Sequence, residues 1–246
     1  MRLKDKKAIV TGGSRGIGRG IVEAFLKEGA SVLSCGRSPV PEDFPVACVW
    51  MTADVSSAED MERLAATAGL VDILVNNAGV QVERTVMAST DADWDHVIGV
   101  NCKGVFNACR AVLPRMRSGG SIINVGSVSG QAADPGMALY NASKAFVHGL
   151  TRSIAVDHGP RVRCNAICPG WVETGMLEAG FALASDPEAA RQDALMRHAT
   201  RRFGRPEDIA AIAVWLASDE AGFATGQLFT VDGGMTAASP ISPGIY

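Results

Sequence analysis

The sequence predicts an α/β protein whose doubly wound parallel sheet of about seven strands carries helices on both faces. Short apolar runs rich in β-branched residues alternate with longer helical patterns along all 246 residues, which is typical of a parallel sheet with crossover helices. The strand runs are continuously apolar, as expected for strands that are buried on both faces. Because no linker or internal repeat interrupts this alternation, we expect a single domain over residues 1–246.

Seven runs are predicted to form strands, and one connection between them is predicted to be a loop. The chain from Ser38 to Pro45 holds three prolines and is too short for a good helix. The crossover between the second and third strands is therefore expected to contain no helix. The strands are predicted at Lys7–Thr11, Ser31–Cys35, Val46–Met51, Ile73–Asn76, Ser121–Val125, Val162–Ile167 and Gln227–Val231.

Six helices are predicted between these strands. In the first, Ile17, Ile21 and Phe25 share one face, and Gly29 provides the stop. The last two begin with proline at the first helical position and acid in the first turn, which is a strong start signal. The helices are predicted at Ile17–Lys27, Ala58–Ala68, Trp94–Arg117, Met137–Asp157, Pro187–His198 and Pro206–Ser218.

Composition and charge argue against several classes of function. The net charge is −3, and the charged residues are scattered, so neither a basic stripe for nucleic acid nor a polybasic membrane helix is present. The charged start, Met1–Lys7, does not resemble a signal peptide, and nowhere do 18 apolar residues follow one another. The six cysteines lack metal-ligand spacing and are expected to be reduced and mostly buried. We expect a cytoplasmic protein with no metal site and with no nucleic-acid or membrane partner.

A glycine-rich segment, Thr11-Gly-Gly-Ser-Arg-Gly-Ile-Gly18, joins the first strand to the first helix. Glycines at 12, 16 and 18 permit a tight turn and a close approach of the backbone to a pyrophosphate, whose charge a helix N-terminus favours. A glycine motif alone could be only a flexible turn, but its place between strand and helix predicts nucleotide binding.

The spacing of this segment and of several later motifs resembles the short-chain dehydrogenase/reductase family over essentially the whole chain. Asp54-Val55, Asn76-Asn-Ala-Gly79, Tyr140-x-x-x-Lys144, Pro169-Gly170 and Asp232-Gly-Gly234 follow in the family's order. The resemblance implies a Rossmann-type fold and catalytic roles for Asn101, Ser127, Tyr140 and Lys144. It also implies cofactor contacts from Gly12, Ser14, Arg15, Gly16, Ile17, Gly18, Arg37, Asp54, Val55, Asn77, Ala78, Gly79, Tyr140, Lys144, Pro169, Gly170, Val172 and Thr174.

The end of the second strand favours NADP over NAD as the cofactor. NAD-using relatives usually carry an aspartate there, which binds the adenosine 2′-hydroxyl. Here Gly36 takes that place and Arg37 follows. Arg37, with Arg15 in the glycine loop, could bind a 2′-phosphate through charge-assisted hydrogen bonds. The alternative that both arginines are solvated surface charges keeps NAD possible.

Tyr140 and Lys144 stand four residues apart on a predicted helix and so share one face. A free phenol has a pKa near 10, and a nearby cation would lower it toward a useful range for proton transfer. The cations expected are Lys144 and the oxidised nicotinamide ring. In reduction Tyr140 would give its proton to the carbonyl oxygen, and in oxidation it would take the proton from the alcohol.

Ser127 lies in the turn that follows the strand Ser121–Val125, at the carboxyl end of the sheet, where ligands bind in such folds. Its hydroxyl could hydrogen-bond the substrate oxygen. Ser129 in the same turn is a rival, but only Ser127 has the family's spacing to Tyr140. By resemblance, Asn101 would hold a water that links Lys144 to solvent.

The segment around 170–200 corresponds to the family's substrate lid. Its apolar residues suggest a hydrophobic or amphipathic carbonyl compound and exclusion of water on closure. Leu195 and Met196 are expected to be core residues of the helix that begins at Pro187. His148 and His158 are expected to have core or surface roles. The residues favoured for substrate contact are Trp171, Met176, Leu177 and Phe181.

The sequence is also compatible with two other functions. One is an NAD-dependent dehydrogenase that oxidises a cyclic diol or a sterol-like alcohol, and the other is a nucleotide-binding module without catalysis. The second is disfavoured because both Tyr140 and Lys144 are present. By resemblance, the helices Trp94–Arg117 and Met137–Asp157 and the last helix and strand would form a homodimer or homotetramer. The apolar tail Ala237–Tyr246 would pack on a neighbouring subunit or near a site.

Overall fold

The computed structural model describes residues 1–237 of the chain. The prediction made for the C-terminal tail therefore falls outside the described residues, apart from Ala237.

A sheet of seven strands, all parallel, forms the centre of the molecule, with the strand order β3-β2-β1-β4-β5-β6-β7. The order reverses between β1 and β4, so the predicted doubly wound α/β fold is confirmed. The connection from β2 to β3 contains no helix, as its prolines predict. The strands are β1 Lys7–Thr11, β2 Ser31–Gly36, β3 Val49–Thr52, β4 Val71–Asn76, β5 Met116–Val125, β6 Val162–Pro169 and β7 Leu228–Val231.

In the described part of the chain, eight α-helices pack around this sheet, and α2 has the predicted bounds. The helix predicted at Trp94–Arg117 is instead a composite of α3, a π-helical turn at Gly99–Gly104, α4 and a 3₁₀ turn at Leu113–Arg115. Pro114 has no amide hydrogen with which to continue the helix, and the chain enters β5 at Met116. The helices are α1 Gly16–Lys27, α2 Ala58–Ala68, α3 Asp91–Ile98, α4 Val105–Val112, α5 Ala138–His158, α6 Gly175–Ala182, α7 Pro187–Arg197 and α8 Pro206–Ala217.

Two apolar layers hold the helices to the sheet. On one face, α2, α4 and α5 bury side chains such as Leu64, Val105 and Val147 against the strands. On the other face, α1 and α8 bury residues that include Phe25 and Ile209. Complete burial of one such side chain stabilises the fold by about 1.5–3 kcal/mol. The sheet is therefore a rigid platform, and its carboxyl edge is the surface left for a site.

The starts of the last two helices are fixed by carboxylates. The Asp186 side chain accepts a hydrogen bond from the Ala189 amide (3.0 Å), and the Asp208 side chain accepts one from the Arg205 amide (2.7 Å). Both bonds satisfy amides that a helix N-terminus leaves without a partner. The proline-and-acid start signals read from the sequence are confirmed.

All six cysteines are buried, as predicted, and none forms a disulfide. Within residues 1–237, no helix is long and apolar enough to cross a membrane. The same residues contain no group of histidine, cysteine and acidic side chains arranged to hold a metal ion.

Candidate active site

The glycine loop after β1 is locked to the segment after β4. Asn77 Nδ2 donates to the carbonyl oxygens of Thr11 and Gly12, both at 3.0 Å. The Thr11 hydroxyl accepts from the amides of Asn77 and Ala78, both at 3.1 Å. These bonds hold the carboxyl ends of β1 and β4 together. The Asn77 side chain, predicted to contact the cofactor, is thus committed to holding the loop.

Gly18 is required where α1 passes closest to this loop. A Cβ at Gly18 would lie 2.3 Å from the Gly12 carbonyl oxygen and 2.4 Å from Asn77 Nδ2, which no real side chain tolerates. Gly12 itself has φ +69°, a left-handed conformation that favours glycine. Both glycines are therefore needed for the backbone to turn directly from β1 into α1.

No side chain accepts a hydrogen bond from the backbone amides at the N-terminus of α1. Arg15 occupies the N-cap position without a capping hydrogen bond, and the first turn contains no acid. By contrast, α2, α3, α6 and α7 are each capped by a serine, threonine or aspartate side chain. The uncapped amides and the positive end of the helix dipole suit a phosphate group.

A tryptophan occupies the space beside Gly36 at the end of β2. A Cβ on Gly36 would lie 2.9 Å from Cη2 of Trp50 on the neighbouring strand β3. The indole is held there by a hydrogen bond from Nε1 to the Ser38 carbonyl oxygen (3.3 Å) and by edge-on packing against Phe44. A carboxylate at position 36 would have to displace this ring. The sequence showed that the acid is missing, but not that its space is filled.

Arg15 and Arg37 are both exposed. Among the described residues, neither guanidinium has a carboxylate or carbonyl partner. The structure therefore leaves both cations available at the side of the cleft where β1 and β2 end.

The segment after β3 carries Asp54 and Val55. The Asp54 carboxylate accepts hydrogen bonds from the amide and hydroxyl of Ser56 at 2.9 and 2.8 Å through one oxygen. Val55 is buried, and a Cβ on Gly104 would touch its side chain. Packing thus sets the position of this segment, and the second carboxylate oxygen has no partner within the described residues.

Tyr140 and Lys144 share one face of α5 as predicted. Lys144 Nζ lies 5.5 Å from the centroid of the Tyr140 ring and donates a hydrogen bond to the Val125 carbonyl oxygen (2.9 Å). That oxygen belongs to the last residue of β5, so the lysine ties α5 to the sheet edge. The ammonium group is buried, with only 6% of the residue exposed.

Burial pushes the pKa values of these two groups apart. It raises the pKa of Tyr140 to about 12, with the Asp134 charge acting in the same direction and the Ser127 hydroxyl in the opposite one. It lowers the pKa of Lys144 to about 8. The expected lowering of the Tyr140 pKa counted the oxidised nicotinamide ring as well as Lys144, so it stays a prediction for the enzyme with bound cofactor. In the protein alone, desolvation of the phenolate is the largest cause of the raised pKa, and the Lys144 ammonium donates to the Val125 carbonyl.

Ser127 stands at the carboxyl end of β5 and joins a chain of hydroxyl groups. Its hydroxyl donates to Ser129 Oγ (3.0 Å), and Ser129 Oγ donates to the Asp134 carboxylate (2.6 Å). Both serines are buried. The two rivals named from the sequence are therefore linked to each other, and Asp134 is a member of the group that sequence reasoning missed.

Asn101 lies in the π-helical turn and holds the segment after β4. Its Oδ1 accepts from the Val80 amide (2.9 Å), while its Nδ2 donates to the Val80 carbonyl oxygen (2.9 Å) and to Ser143 Oγ (3.0 Å). The extra residue of a π turn changes the direction in which a side chain projects, a feature frequent at functional sites. Ser143, one position before Lys144, was not anticipated from the sequence.

The segment after β6 reaches back to the glycine loop. A Cβ on Gly16 would lie 3.1 Å from Cγ2 of Thr174, which also caps α6. Gly170 donates its amide to the Val231 carbonyl oxygen (3.0 Å), and Val172 is buried. The predicted cofactor residues Pro169, Gly170, Val172 and Thr174 thus lie along one strip of backbone that borders the loop.

The lid region has a small apolar core of its own, made by Phe181 and Phe203 with Trp171 and flanked by α6 and α7. Trp171 and Phe181, predicted as substrate contacts, face each other with ring centroids 5.5 Å apart. Leu195 packs against this cluster. Met196 is 49% exposed, so its predicted core role is wrong because α7 covers the cluster with only one face.

The remaining predicted contacts lie on the open side of the lid. Met176 on α6 is 40% exposed, and Leu177 is partly buried against the lid core. A Cβ on Gly180 would lie 3.1 Å from a carboxylate oxygen of Glu83, so α6 lies over the segment after β4. Helix α6 thus packs over the segment after β4 and carries the exposed apolar side chain of Met176.

His148 is buried beneath the site, one turn beyond Lys144. Its Nε2 lies 3.2 Å from the Cys168 sulfur, and a Cβ on Gly126 or Gly130 would collide with the imidazole. Burial and the Lys144 charge lower the pKa of His148. The expected core role, filling space between the serine turn and β6, agrees with this geometry.

Comparison with known proteins gives matches along almost the whole chain. A family model described as enoyl-(acyl carrier protein) reductase matches residues 12–236. A 3-oxoacyl-[acyl-carrier-protein] reductase of Thermotoga maritima is 38% identical, over 96% of this chain and 99% of that protein. An NADP-dependent (R)-specific alcohol dehydrogenase of Lentilactobacillus kefiri is 38% identical, over 96% of this chain and 98% of that protein.

A solved structure shares the fold closely. The ligand-free aldohexose dehydrogenase of Thermoplasma acidophilum superposes with a TM-score of 0.91 at 34% sequence identity. The match covers 98% of this chain and 97% of that one. At this identity and coverage, the relationship extends beyond a common fold.

Proposed function

The chain belongs to the short-chain dehydrogenase/reductase family, and from that membership we propose that it is an NADP-dependent oxidoreductase in which Tyr140 moves the proton. Membership establishes the reaction class: a hydride passes between a nicotinamide cofactor and a carbonyl or secondary alcohol. The cofactor's identity and the roles of individual residues are our proposal. The observation that carries it is the meeting of Ser127, Tyr140 and Lys144 at the sheet edge that also holds the glycine loop.

The residues around α1 fit a dinucleotide. Gly12, Gly16 and Gly18 keep the backbone of the loop open to a diphosphate, and the first turn of α1 has neither a side-chain cap nor an acid. When bound, the nicotinamide cofactor supplies or accepts the hydride. On the adenosine side, Asp54 and Val55 would border the base, and Pro169, Gly170, Val172 and Thr174 would border the nicotinamide.

Two features at the end of β2 support NADP. Trp50 fills the space that a carboxylate at position 36 would need, so no acid competes with a 2′-phosphate there. Arg15 and Arg37 are exposed and could bind that phosphate with charge-assisted hydrogen bonds. An NADP-dependent alcohol dehydrogenase among the relatives agrees with this preference.

In the proposed mechanism, Tyr140 exchanges a proton at the substrate oxygen. A phenol whose pKa is raised to about 12 holds its proton firmly and can hydrogen-bond a carbonyl or alcohol oxygen. Lys144 keeps a positive charge one turn away and stabilises the phenolate as it forms. Asn101 holds the Val80 backbone beside Lys144, and the lid excludes water from the reacting groups.

The substrate we propose is a hydrophobic or amphipathic ketone or secondary alcohol. Met176 on α6, in the segment predicted to be the lid, is 40% exposed. Apolar side chains left in solvent at the rim of a site favour a substrate that covers them.

The test is turnover of a ketone and secondary-alcohol panel with NADPH, NADH and their oxidised forms. We expect Tyr140→Phe to lower kcat about 10²–10⁴-fold, the usual contribution of proton transfer, while fluorescence titration still detects NADPH binding. Undiminished turnover in Tyr140→Phe would exclude Tyr140 as the proton donor.

Cofactor preference has its own test. Arg37→Asp should raise the KM for NADPH at least about tenfold and lower the KM for NADH, because the new carboxylate repels a 2′-phosphate and accepts from a 2′-hydroxyl. Lys27→Asp, at the far end of α1, is the control for the change in charge. An unchanged preference for NADPH in Arg37→Asp would exclude Arg37 as a determinant of cofactor choice.

The proposal includes self-association into a homodimer or homotetramer. Large apolar side chains remain exposed on α3, α4 and α5, where monomeric proteins rarely place several together. They are Trp94, Phe106, Phe146 and Val156, which are 43–81% exposed. A second copy of this chain would cover them, and the solution mass is the measurement that decides it.

A further inference from the structure

The hydrogen-bond chain from Ser127 to Asp134 has a fixed direction. An ionised carboxylate can only accept hydrogen bonds, so Ser129 must use its one hydroxyl hydrogen on Asp134 (2.6 Å). Ser129 therefore has no hydrogen left for Ser127, and across the 3.0 Å contact between the two hydroxyls Ser127 is the donor. The hydrogen of Ser127 is thus engaged with Ser129, and the Ser127 hydroxyl can lower the Tyr140 pKa only when that hydrogen is released.

The remaining bonding capacity of Ser127 follows from this direction. A hydroxyl oxygen has two lone pairs, and one of them accepts from the Ser129 amide (3.1 Å). Only the second lone pair is left for the substrate side. In this arrangement Ser127 can accept a hydrogen bond there but cannot donate one.

The position of Asp134 and its negative charge favour this direction of the hydrogen bonds. Asn141 Nδ2, one residue after Tyr140 on α5, donates to the Asp134 backbone carbonyl (3.0 Å). Asp134 is partly buried, and among residues 1–237 no cation pairs with its carboxylate. Its negative charge is thus directed into the serine turn and is not neutralised by a surface partner.

We propose that Asp134, acting through Ser129, is a positioning residue that turns Ser127 into a hydrogen-bond acceptor and makes the resting site complementary to an alcohol. The inference rests on the proposed function. With Tyr140 protonated, its phenol donates to the alcohol oxygen, and the alcohol hydroxyl donates to Ser127. A ketone has no hydrogen to offer, so its second hydrogen bond requires Ser127 to leave Ser129 first.

The cost of that reorientation sets the expected effect. One hydrogen bond contributes about 1 kcal/mol net, which corresponds to a factor of about five in an equilibrium constant. The quotient of kcat/KM in the two directions is fixed by the overall equilibrium when cofactor affinities are unchanged. The hydrogen-bond chain must therefore act by lowering the KM for the alcohol relative to the KM for the ketone. The kcat values in the two directions then change by the factor that keeps the quotient constant.

A spectroscopic test needs neither substrate nor cofactor. The chain has two tyrosines, so in a Tyr246→Phe background the tyrosinate absorbance at 295 nm reports Tyr140 alone. The variants are Ser129→Ala and Asp134→Asn, read within milliseconds of a pH jump so that alkaline unfolding does not interfere. Asp157→Asn, on the exposed distal part of α5, is the control for the loss of one charge.

We expect the Tyr140 pKa to fall by at least about 0.5 unit in both variants and to stay unchanged in Asp157→Asn. In Ser129→Ala, Ser127 loses its acceptor, and in Asp134→Asn a neutral amide, which can donate as well as accept, no longer fixes the direction of the Ser129 hydroxyl, so in both Ser127 can donate to the phenolate. A fall in Asp134→Asn alone would show that the charge acts only through space and would overturn the proposed chain. An unchanged pKa in both variants would also overturn it. These outcomes are independent of whether the enzymatic proposal holds.

A kinetic test follows with an achiral pair, cyclohexanol and cyclohexanone, at saturating cofactor. Ser129→Ala should lower the ratio of the ketone KM to the alcohol KM about fivefold, and Asp134→Glu, which keeps the carboxylate, should restore it relative to Asp134→Asn. An unaltered KM ratio in Ser129→Ala would contradict the proposal. If the parent enzyme turns over no member of the panel, the proposed function is refuted. The titration of Tyr140 then decides by itself whether Ser127 donates to Ser129.

Discussion

Burial makes the charged form less favourable for both titratable residues at the centre of the site. The Tyr140 pKa is raised to about 12 and the Lys144 pKa is lowered to about 8, both because the charged form loses hydration. At neutral pH the pair therefore consists of a neutral phenol and an ammonium group held at a cost. This cost is accepted at a functional site because the buried charge is what stabilises a phenolate when one forms.

The first prediction concerns the stability cost of the buried lysine. A pKa lowered from 10.5 to about 8 means that the unfolded chain binds more protons between those values, so stability rises as pH increases through that window. The penalty is complete below pH 8 and amounts to about 3 kcal/mol. Lys144→Met should therefore unfold at a higher urea concentration than the parent at pH 7, although it is inactive.

The advantage of Lys144→Met should shrink between pH 8 and 10.5, where the parent lysine loses its proton in the folded state. Urea unfolding followed by circular dichroism at pH 7 and pH 10 measures both values. Lys7→Met provides the comparison, since its ammonium group donates to the Ala68 carbonyl and is only partly buried. A variant less stable than the parent at pH 7 would show that the hydrogen bond to Val125 outweighs the burial penalty.

At the scale of secondary-structure elements, the site depends on a departure from regular helix geometry. The π-helical turn Gly99–Gly104 between α3 and α4 places Asn101 against Val80, and α4 then places Asn107 against Val55 and Ser56. Two asparagines on the continuous helical segment from α3 to α4 thus hydrogen-bond two different loops at the carboxyl edge of the sheet. One loop belongs to the catalytic side and the other to the adenosine side.

The second prediction uses these two asparagines as a matched pair. Asn101→Ala and Asn107→Ala each remove buried side-chain-to-backbone hydrogen bonds and should each lower the free energy of unfolding by about 2–3 kcal/mol. Their kinetic effects should differ. Asn101→Ala should lower kcat because the segment beside Lys144 loosens, whereas Asn107→Ala should raise the KM for the cofactor. Identical kinetic defects would mean that both act only through global stability.

Local sequence signals predicted the elements that they alone determine. Helix α2 was predicted with its observed bounds, and local residues define its ends: the Ser57 side chain caps it, acids occupy its first turn and Gly69 is its C-cap. Helix α6 was missed because Gly175 and Gly180 weaken any helical pattern. Its stability comes from Phe181 packing against Phe203, a contact between residues distant in sequence. The π turn was missed for a similar reason, since Asn101 is held by the distant Val80.

In the site, too, local sequence predicted some features, and contacts between distant residues determine the others. The family spacing located Ser127, Tyr140 and Lys144, and the fold brings them to one edge because β5 ends beside α5. The burial that raises the Tyr140 pKa in the protein alone was not foreseen, because sequence alone does not reveal how far the phenol is dehydrated. Asp134 was missed because its role depends on the orientation of two serine hydroxyls. Trp50 was missed because its indole reaches Gly36 across neighbouring strands.

At the scale of the whole molecule, the two sides of the sheet face different surroundings. Helices α1 and α8 cover one face, and α2, α4 and α5 cover the other. Exposed aromatic residues occur on the outer surface of the second layer: Phe106 on α4 is 44% exposed and Phe146 on α5 is 43% exposed. A second copy of the chain packed there would bury them and brace α5, which carries Tyr140 and Lys144, from outside.

The last prediction is that Phe106→Glu with Phe146→Glu shifts the protein from a dimer or tetramer toward monomer. Two buried carboxylates without partners would cost more than the aromatic burial contributes to a symmetric interface. Light scattering coupled to size-exclusion chromatography gives the mass of each species. Leu70→Glu is the control, because Leu70 is 59% exposed but lies in the turn between α2 and β4, away from this surface. A parent protein that elutes as a monomer would refute the assembly, and a shift caused equally by Leu70→Glu would place the interface elsewhere. If the monomeric variant also loses activity in proportion to its monomer fraction, α5 depends on the neighbouring subunit for the position of Tyr140.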